Sequence, residues 1–253
     1  MKFLFILIAS FFLMLTILKA QVVDVDIKEV VDVEATTIDF DSTVQDGEPF
    51  KVKVELQNIG SIGYKARVRL DILDQDDLIF TGWSDEKYFF PGNQKIYDLY
   101  WYPLDIEGEL KALIIIYYAN EMKKVKLVKF DVKAPEKSPE NVFKILDFRA
   151  YDDEVEFLLK TNKTVENAII IPSGYPTGWI FEQVKVDELE SGNVKIVNLK
   201  YDPSLWKETS IMFNIISEDG KYHASEPFTM KRENSFWSNV YKTIHNLRVI
   251  LNF

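Results

Sequence analysis

Residues 46–73 read DGEPFKVKVELQNIGSIGYKARVRLDIL. Two runs, Phe50 to Leu56 and Tyr64 to Ile72, alternate apolar with polar side chains. Period two is the mark of a strand with one buried face. The flanking Asp46-Gly47 and the intervening Asn58-Ile59-Gly60 carry turn chemistry. Working outward, VVDVDIKEVVDV (22–33) alternates in the same way, and QKIYDLYWY (94–102), ELKALIIIYY (109–118) and KKVKLVKFDV (123–132) supply further strands. DQDD (74–77) is a hairpin turn; it lacks the aspartate order and the following glutamate of a calcium loop. Short strands at such spacing predict an antiparallel β-sandwich over 21–133.

The stretch KAPEKSPEN (133–141), with two prolines and no apolar pattern, reads as a linker over 134–141. Strands resume at FKILDFRAY, EVEFLLKT, AIIIP, GWIFEQVKV, NVKIVNLKY, SIMFNIIS and HASEPFTM, which predicts a second sandwich over 142–231. The halves repeat one another. A shift of 100 positions superposes Gly92, Asn93, Lys95, Ile96, Leu99, Pro103, Ile115 and Ile116 on Gly192, Asn193, Lys195, Ile196, Leu199, Pro203, Ile215 and Ile216. A Thr-Gly-Trp also occurs twice, at 81–83 and 177–179. The repeat predicts that Trp83 and Trp179 begin equivalent strands and pack in equivalent cores, with Gly92-Asn93 and Gly192-Asn193 forming the turn that follows.

The stretch 46–73, with its Leu-Gln-Asn-Ile-Gly turn between alternating strands, resembles the cell-adhesion-related (CARDB) domains of bacterial and archaeal surface proteins. The second half, with IIIPSGYPTGWIFEQVKV followed by SGNVKI, is similar to the NPCBM-associated domains that accompany some glycosidases. It departs from the first in having TNKTVENA where the Asn-x-Gly turn is expected. Both families are immunoglobulin-like sandwiches found outside the cell. The resemblance therefore implies an all-β chain of two tandem immunoglobulin-like β-sandwiches, and it carries fold further than function.

The ends differ from the body. MKFLFILIASFFLMLTILKAQ opens with one lysine and an apolar run from Phe3 to Leu18. Such a run makes about 24 Å of helix, short of the roughly 30 Å hydrocarbon core. Residues 1–20 are therefore a signal peptide, with cleavage after Ala20, or a retained N-terminal membrane anchor. At the other end NSFWSNVYKTIHNLRVILNF drops period two. At 100° per residue Phe236, Trp237, Val240, Tyr241, Ile244, Leu247 and Leu251 gather on one side, which predicts an amphipathic helix over 234–252. That helix has three candidate seats: the sandwich itself, a partner helix, or a lipid headgroup layer.

Charge and residue supply bound the function. Residues 21–230 hold 24 basic and 39 acidic side chains, a balance that repels phosphate backbones and points away from nucleic acid. Cysteine is absent, so disulfides and thiolate metal sites are excluded. His223 and His245 are the only histidines and lie in different elements. With no material for a triad or a histidine metal site, the reading is non-catalytic, with no metal and no cofactor. Aromatic side chains occupy both faces of 94–102: Tyr97, Leu99 and Trp101 on one, Ile96, Asp98, Tyr100 and Tyr102 on the other. Tyr100 and Tyr102 are the candidate ligand-stacking rings, unless they cover the second domain. Asn162-Lys163-Thr164 is a glycosylation sequon with Asn162 as acceptor. The expected role is an exported interaction or adhesion module of the cell envelope, extracytoplasmic, with an envelope protein or glycan as partner and a membrane surface as a further contact. The alternatives are a carbohydrate-binding accessory module and an extracytoplasmic stator or assembly component of a surface filament.

Overall fold

The computed structural model describes residues 29–119, 121–135, 138–203 and 208–230. The predicted signal or anchor segment and the predicted C-terminal helix lie outside the described residues, among which only strands, turns and loops occur.

The first half contains β1 (Val33–Phe40), β2 (Thr43–Gln45), β3 (Phe50–Asn58), β4 (Tyr64–Asp74), β5 (Asp77–Trp83), β6 (Lys87–Phe89), β7 (Gln94–Trp101), β8 (Gly108–Tyr118) and β9 (Glu121–Lys133). One sheet runs β1-β3-β7; the other runs β2-β9-β8-β4-β5, with β6 also on β4. The alternation in the sequence sets the layering. In β3 Phe50, Val52, Val54 and Leu56 are buried while the residues between them reach outward. In β4 the inward series is Tyr64, Ala66, Val68, Leu70 and Ile72. The two series face one another across a single core that also takes Tyr97, Leu99 and Trp101 from β7, as the sequence predicts.

The second half contains β10 (Phe143–Ala150), β11 (Glu154–Thr161), β12 (Val165–Ser173), β13 (Ile180–Phe181), β14 (Val184–Leu189), β15 (Val194–Asp202), β16 (Thr209–Ser217) and β17 (His223–Met230). Its sheets are β10-β11-β15-β13 and β14-β12-β16-β17, around a second core. The described residues are thus all-β, with sheets stacked in pairs.

The repeat has a physical basis at the glycine-asparagine turns. Gly92 and Gly192 have φ of 78° and 82°, the left-handed region that glycine enters without a Cβ penalty. Each donates its N–H to the end of a neighbouring strand, Gly92 to the Asn58 carbonyl at 2.9 Å and Gly192 to the Thr161 carbonyl at 2.8 Å. Asn58 and Thr161 are both fully buried and use different side chains for the same purpose. The Asn58 amide accepts from Gly60 N at 2.8 Å and donates to the Ile62 carbonyl at 2.9 Å. The Thr161 hydroxyl donates to the Lys163 carbonyl at 2.7 Å. That is why the second half needs no Asn-x-Gly.

The Thr-Gly-Trp triplets correct the expectation of equivalence. Trp83 ends β5 on the outer face of the six-stranded sheet, its ring 5.0 Å from Tyr117 and beneath the Arg69 guanidinium at 5.5 Å. Trp179 lies in the turn before β13 and packs into the second core, 5.9 Å from Tyr201. The glycines differ as well. Gly178 has φ of 92°, whereas Gly82 has no positive φ but would place a Cβ 2.5 Å from the Gln183 amide nitrogen. One glycine serves a turn and the other a close approach.

Candidate functional site

The strand AIIIP breaks alternation. Ala168, Ile169, Ile170 and Ile171 are all fully buried, which requires a neighbour on each face of β12. Ala168 and Ile170 pack into the second core; Ile169 and Ile171, with Ile216 from β16, pack into the first. This outer face of the second half meets β5 of the first, with Tyr100 of β7 beside it. The polar contacts between the two halves are gathered at this junction.

Around the isoleucines lies a ring of polar contacts. The Gln183 side-chain amide accepts from Tyr100 N at 2.8 Å and donates to Tyr100 O at 2.6 Å, copying the pair of bonds that an adjacent strand residue makes. Gln183 N also donates to the Trp83 carbonyl at 3.0 Å. Glu218 receives the Lys51 ammonium at 3.1 Å, the Tyr100 hydroxyl at 3.1 Å and the Lys185 ammonium at 2.8 Å. Burial works to raise the Glu218 carboxyl, but its hydrogen bonds from Lys185 and Lys51 hold it below the usual range. Burial pushes the Tyr100 hydroxyl up to about 12, so it remains a donor at neutral pH.

Farther along, His223 stacks on Tyr102 with centroids 4.3 Å apart. Burial lowers its imidazole to about 4, which keeps the ring neutral. The connecting segment is tied in here: Glu140 N donates to Lys221 O and His223 N to Glu140 O, at 2.9 and 3.0 Å. On the opposite side the Tyr175 hydroxyl donates to the Thr81 carbonyl at 2.7 Å, and Thr81 in turn donates to Asp71, the ion-pair partner of Arg69.

Tyr100 and Tyr102 are therefore not an open stacking platform. They are 3% and 7% exposed and face the second half, the covering role that the sequence left open. Asn162 does sit in an exposed turn, between β11 and β12. The helix residues Phe236, Trp237, Val240, Tyr241, Ile244, Leu247 and Leu251 lie outside the described residues. Gln183, Glu218 and Lys51 escape the sequence reading, since single polar residues carry no period, and His223 enters it only as a histidine too isolated for a triad. The unbroken Ala168–Ile171 run was the available signal that something covers β12 on both faces.

Two grooves open at the junction. One, of about 340 Å³, is lined by Asp85, Lys87, Asp98, Tyr100, Glu182 and Lys185 together with apolar neighbours. The other, of about 240 Å³, brings the two Thr-Gly-Trp triplets together and is rimmed by Leu78 and Ile79, which are 51% and 42% exposed. Behind its wall Trp83 Nε1 and Arg69 Nε are buried donors without an acceptor among the described residues. No group of three or more His, Asp or Glu side chains among those residues is placed to hold a metal. The arrangement is one of shaped polar edges, suited to binding.

No protein-family profile matches the chain, and no curated protein matches it. Among solved structures it is similar to the CARDB domain of a Pyrococcus furiosus protein, in complex with di-metal ions. The identity there is 21%, the match covers 43% of this chain and 96% of that one, and the TM-score is 0.32. A beta-glucosidase from Listeria innocua in complex with glucose is 12% identical over 43% of this chain and 16% of the enzyme, with a TM-score of 0.32. Red sea bream transglutaminase is 7% identical over 81% of this chain and 31% of its own, with a TM-score of 0.28.

Proposed function

We propose that the chain is a non-catalytic, exported interaction module of the cell envelope, built of two immunoglobulin-like domains that act as one body. The observation that carries this reading is the junction. The aromatic rings and paired charges that would otherwise offer a reactive or stacking site, Tyr100, Tyr102, Glu218 and His223, are committed to joining the halves. A fixed spacing between domains is useful to a protein that holds or presents something, and it leaves the grooves and edges as contact surfaces. The apolar run from Phe3 to Leu18 supports export.

The test is to express the full chain with a C-terminal tag in a prokaryotic host, separate envelope from cytoplasm, crosslink and sequence the tagged product. Recovery in the envelope fraction with a start near Gln21 and a discrete crosslinked envelope protein is the expected result. A start at Met1 in the membrane pellet replaces the signal by an anchor. Recovery in the cytoplasm removes the envelope role. Saturable binding to a glycan array with no protein partner transfers the case to a carbohydrate-binding accessory module.

A further inference from the structure

The larger groove lies along a strand edge that the fold leaves partly open. β7 pairs on one side with β3 and is the last strand of its sheet. In an antiparallel pair alternate residues turn both main-chain groups away from the partner. Tyr100 does so, since its N–H and C=O both engage Gln183, and Ile96 does so, since its carbonyl accepts from Lys87 Nζ at 2.6 Å. Asp98 stands midway between them and shares their phase. Its N–H and C=O face the groove and have no partner among the described residues.

The second half shows what belongs on such an edge. There β15 is covered at Tyr201 and Asp202 by its own short strand β13, and Tyr201 stands 100 residues after Trp101. In the first half a glutamine and a lysine side chain take that place and leave a gap between them. The far wall of the groove is formed by Glu182, Val184 and Lys185, the latter two beginning β14, itself the last strand of its sheet.

Charge selects the occupant. Lys87 is already committed to Asp85 and the Ile96 carbonyl, and Lys185 to Glu218. Asp98 has Lys51 at 3.6 Å, shared with Glu218. Glu182 makes no salt bridge among the described residues, and burial holds its carboxyl above the usual range although the charges of Arg67 and Lys200 act to lower it.

We propose that this groove receives an extended peptide segment of a partner protein, which adds as a strand to β7 through the N–H and C=O of Asp98 and sets a lysine or arginine against Glu182. Main-chain bonds at a sheet edge supply affinity and the alternate side chains supply selectivity. This deepens the reading of the chain as an interaction module by naming the chemistry of the partner.

The probe is the blocked heptapeptide acetyl-Thr-Val-Thr-Lys-Thr-Val-Thr-amide, titrated into the full chain and followed by calorimetry. Saturable binding is expected. N-methylation at residues of one alternate set weakens it about tenfold, the effect of one lost hydrogen bond, while methylation of the other set leaves it unchanged. A glutamate in place of the central lysine also weakens it about tenfold. In a Glu182→Gln chain the lysine and glutamate peptides converge to within about threefold, while the methylation pattern persists. Asp98→Pro removes the outward N–H together with the carboxylate beside Lys51 and is expected to abolish binding while the pairing with β3 remains; Asp98→Asn, which loses the charge alone, is expected to keep the methylation pattern.

No saturable binding at millimolar peptide, or binding indifferent to which set is methylated, overturns the proposal. Equal affinity for the lysine and glutamate peptides overturns the assignment of Glu182. None of these outcomes alters whether the chain is recovered in the envelope with a crosslinked partner, so the two readings fail separately.

Discussion

The Thr-Gly-Trp at 81–83 and the Thr-Gly-Trp at 177–179 are the same three residues in unlike settings. In the first, Trp83 is buried on the outer side of a sheet against Tyr117 and Arg69, and Gly82 clears space for an incoming glutamine. In the second, Trp179 is core and Gly178 bends the chain through positive φ. The glycine-asparagine turns ten or so residues later are, by contrast, the same in sequence and in conformation. A repeated motif reports shared structure where the need is local, as in a turn. Where the need is a neighbour distant in sequence, identical residues part company.

Replacement of the tryptophans breaks the comparison most visibly. Trp179→Ala empties a core site and is expected to cost about 3–5 kcal/mol in urea unfolding. Trp83→Ala removes a ring pair and a cation–π contact on an outer face and is expected to cost about 2 kcal/mol. Equal losses would return both rings to equivalent cores.

The glycines come next. Gly82→Ala drives the Gln183 amide away from Tyr100, leaving a buried N–H and C=O unpaired, at about 2–3 kcal/mol. Gly178→Ala strains a backbone at positive φ, at about 1–2 kcal/mol. A double-mutant cycle sharpens the distinction: Gln183→Ala couples to Gly82→Ala by about 1 kcal/mol or more and adds independently to Gly178→Ala.

Acid probes the junction without mutation. His223 has a folded pKa near 4 against an ordinary 6.5, so only the unfolded chain binds its proton in that interval. The associated stability is complete above pH 6.5 and is lost as pH falls toward 4. Glu218, with a lowered pKa, withdraws its share as pH falls below its ordinary 4.5, in the same direction. For a half-buried imidazole the expected fall in melting temperature is about 2–4 °C across the His223 window, and His223→Phe, which keeps a ring on Tyr102, removes it. An unchanged melting temperature in the parent would dissociate His223 from the junction's stability.

The smallest effect is a match. Gly92→Ala and Gly192→Ala meet no atoms within 4 Å and differ little in φ, so each is expected to cost about 1 kcal/mol and the two to agree within about 0.5 kcal/mol.

These contrasts also mark how far the sequence could be read. Alternation in 50–56 and 64–72 yields β3 and β4 with the correct residues inward, because the pleat and one-sided burial leave a period in the chain. The Asp74–Asp77 hairpin and the glycine-asparagine turns are legible for the same local reason. The junction is not. Tyr100 looks like an outward ring from its place in 94–102, and only the arrival of Gln183 and Glu218, 83 and 118 positions away, makes it interior. Strand β5, whose DLIFTGW mixes both patterns, is defined by its pairing with β4 and not by a period of its own.

The Gln183 clamp has a consequence for synthesis. A chain made from its N-terminus displays Tyr100 well before Gln183 exists, and at about 5–20 residues per second the interval is roughly 4–17 s. During that interval the first half has most of its core but lacks Ile169, Ile171 and Ile216, and its border is unfinished. Its nascent form presents bare peptide groups and uncovered apolar surface together, the combination that favours pairing with a second chain. The order of translation thus makes the first half dependent on the second for its solubility, and a chain stopped before Gln183 is a candidate for self-association rather than a smaller working module.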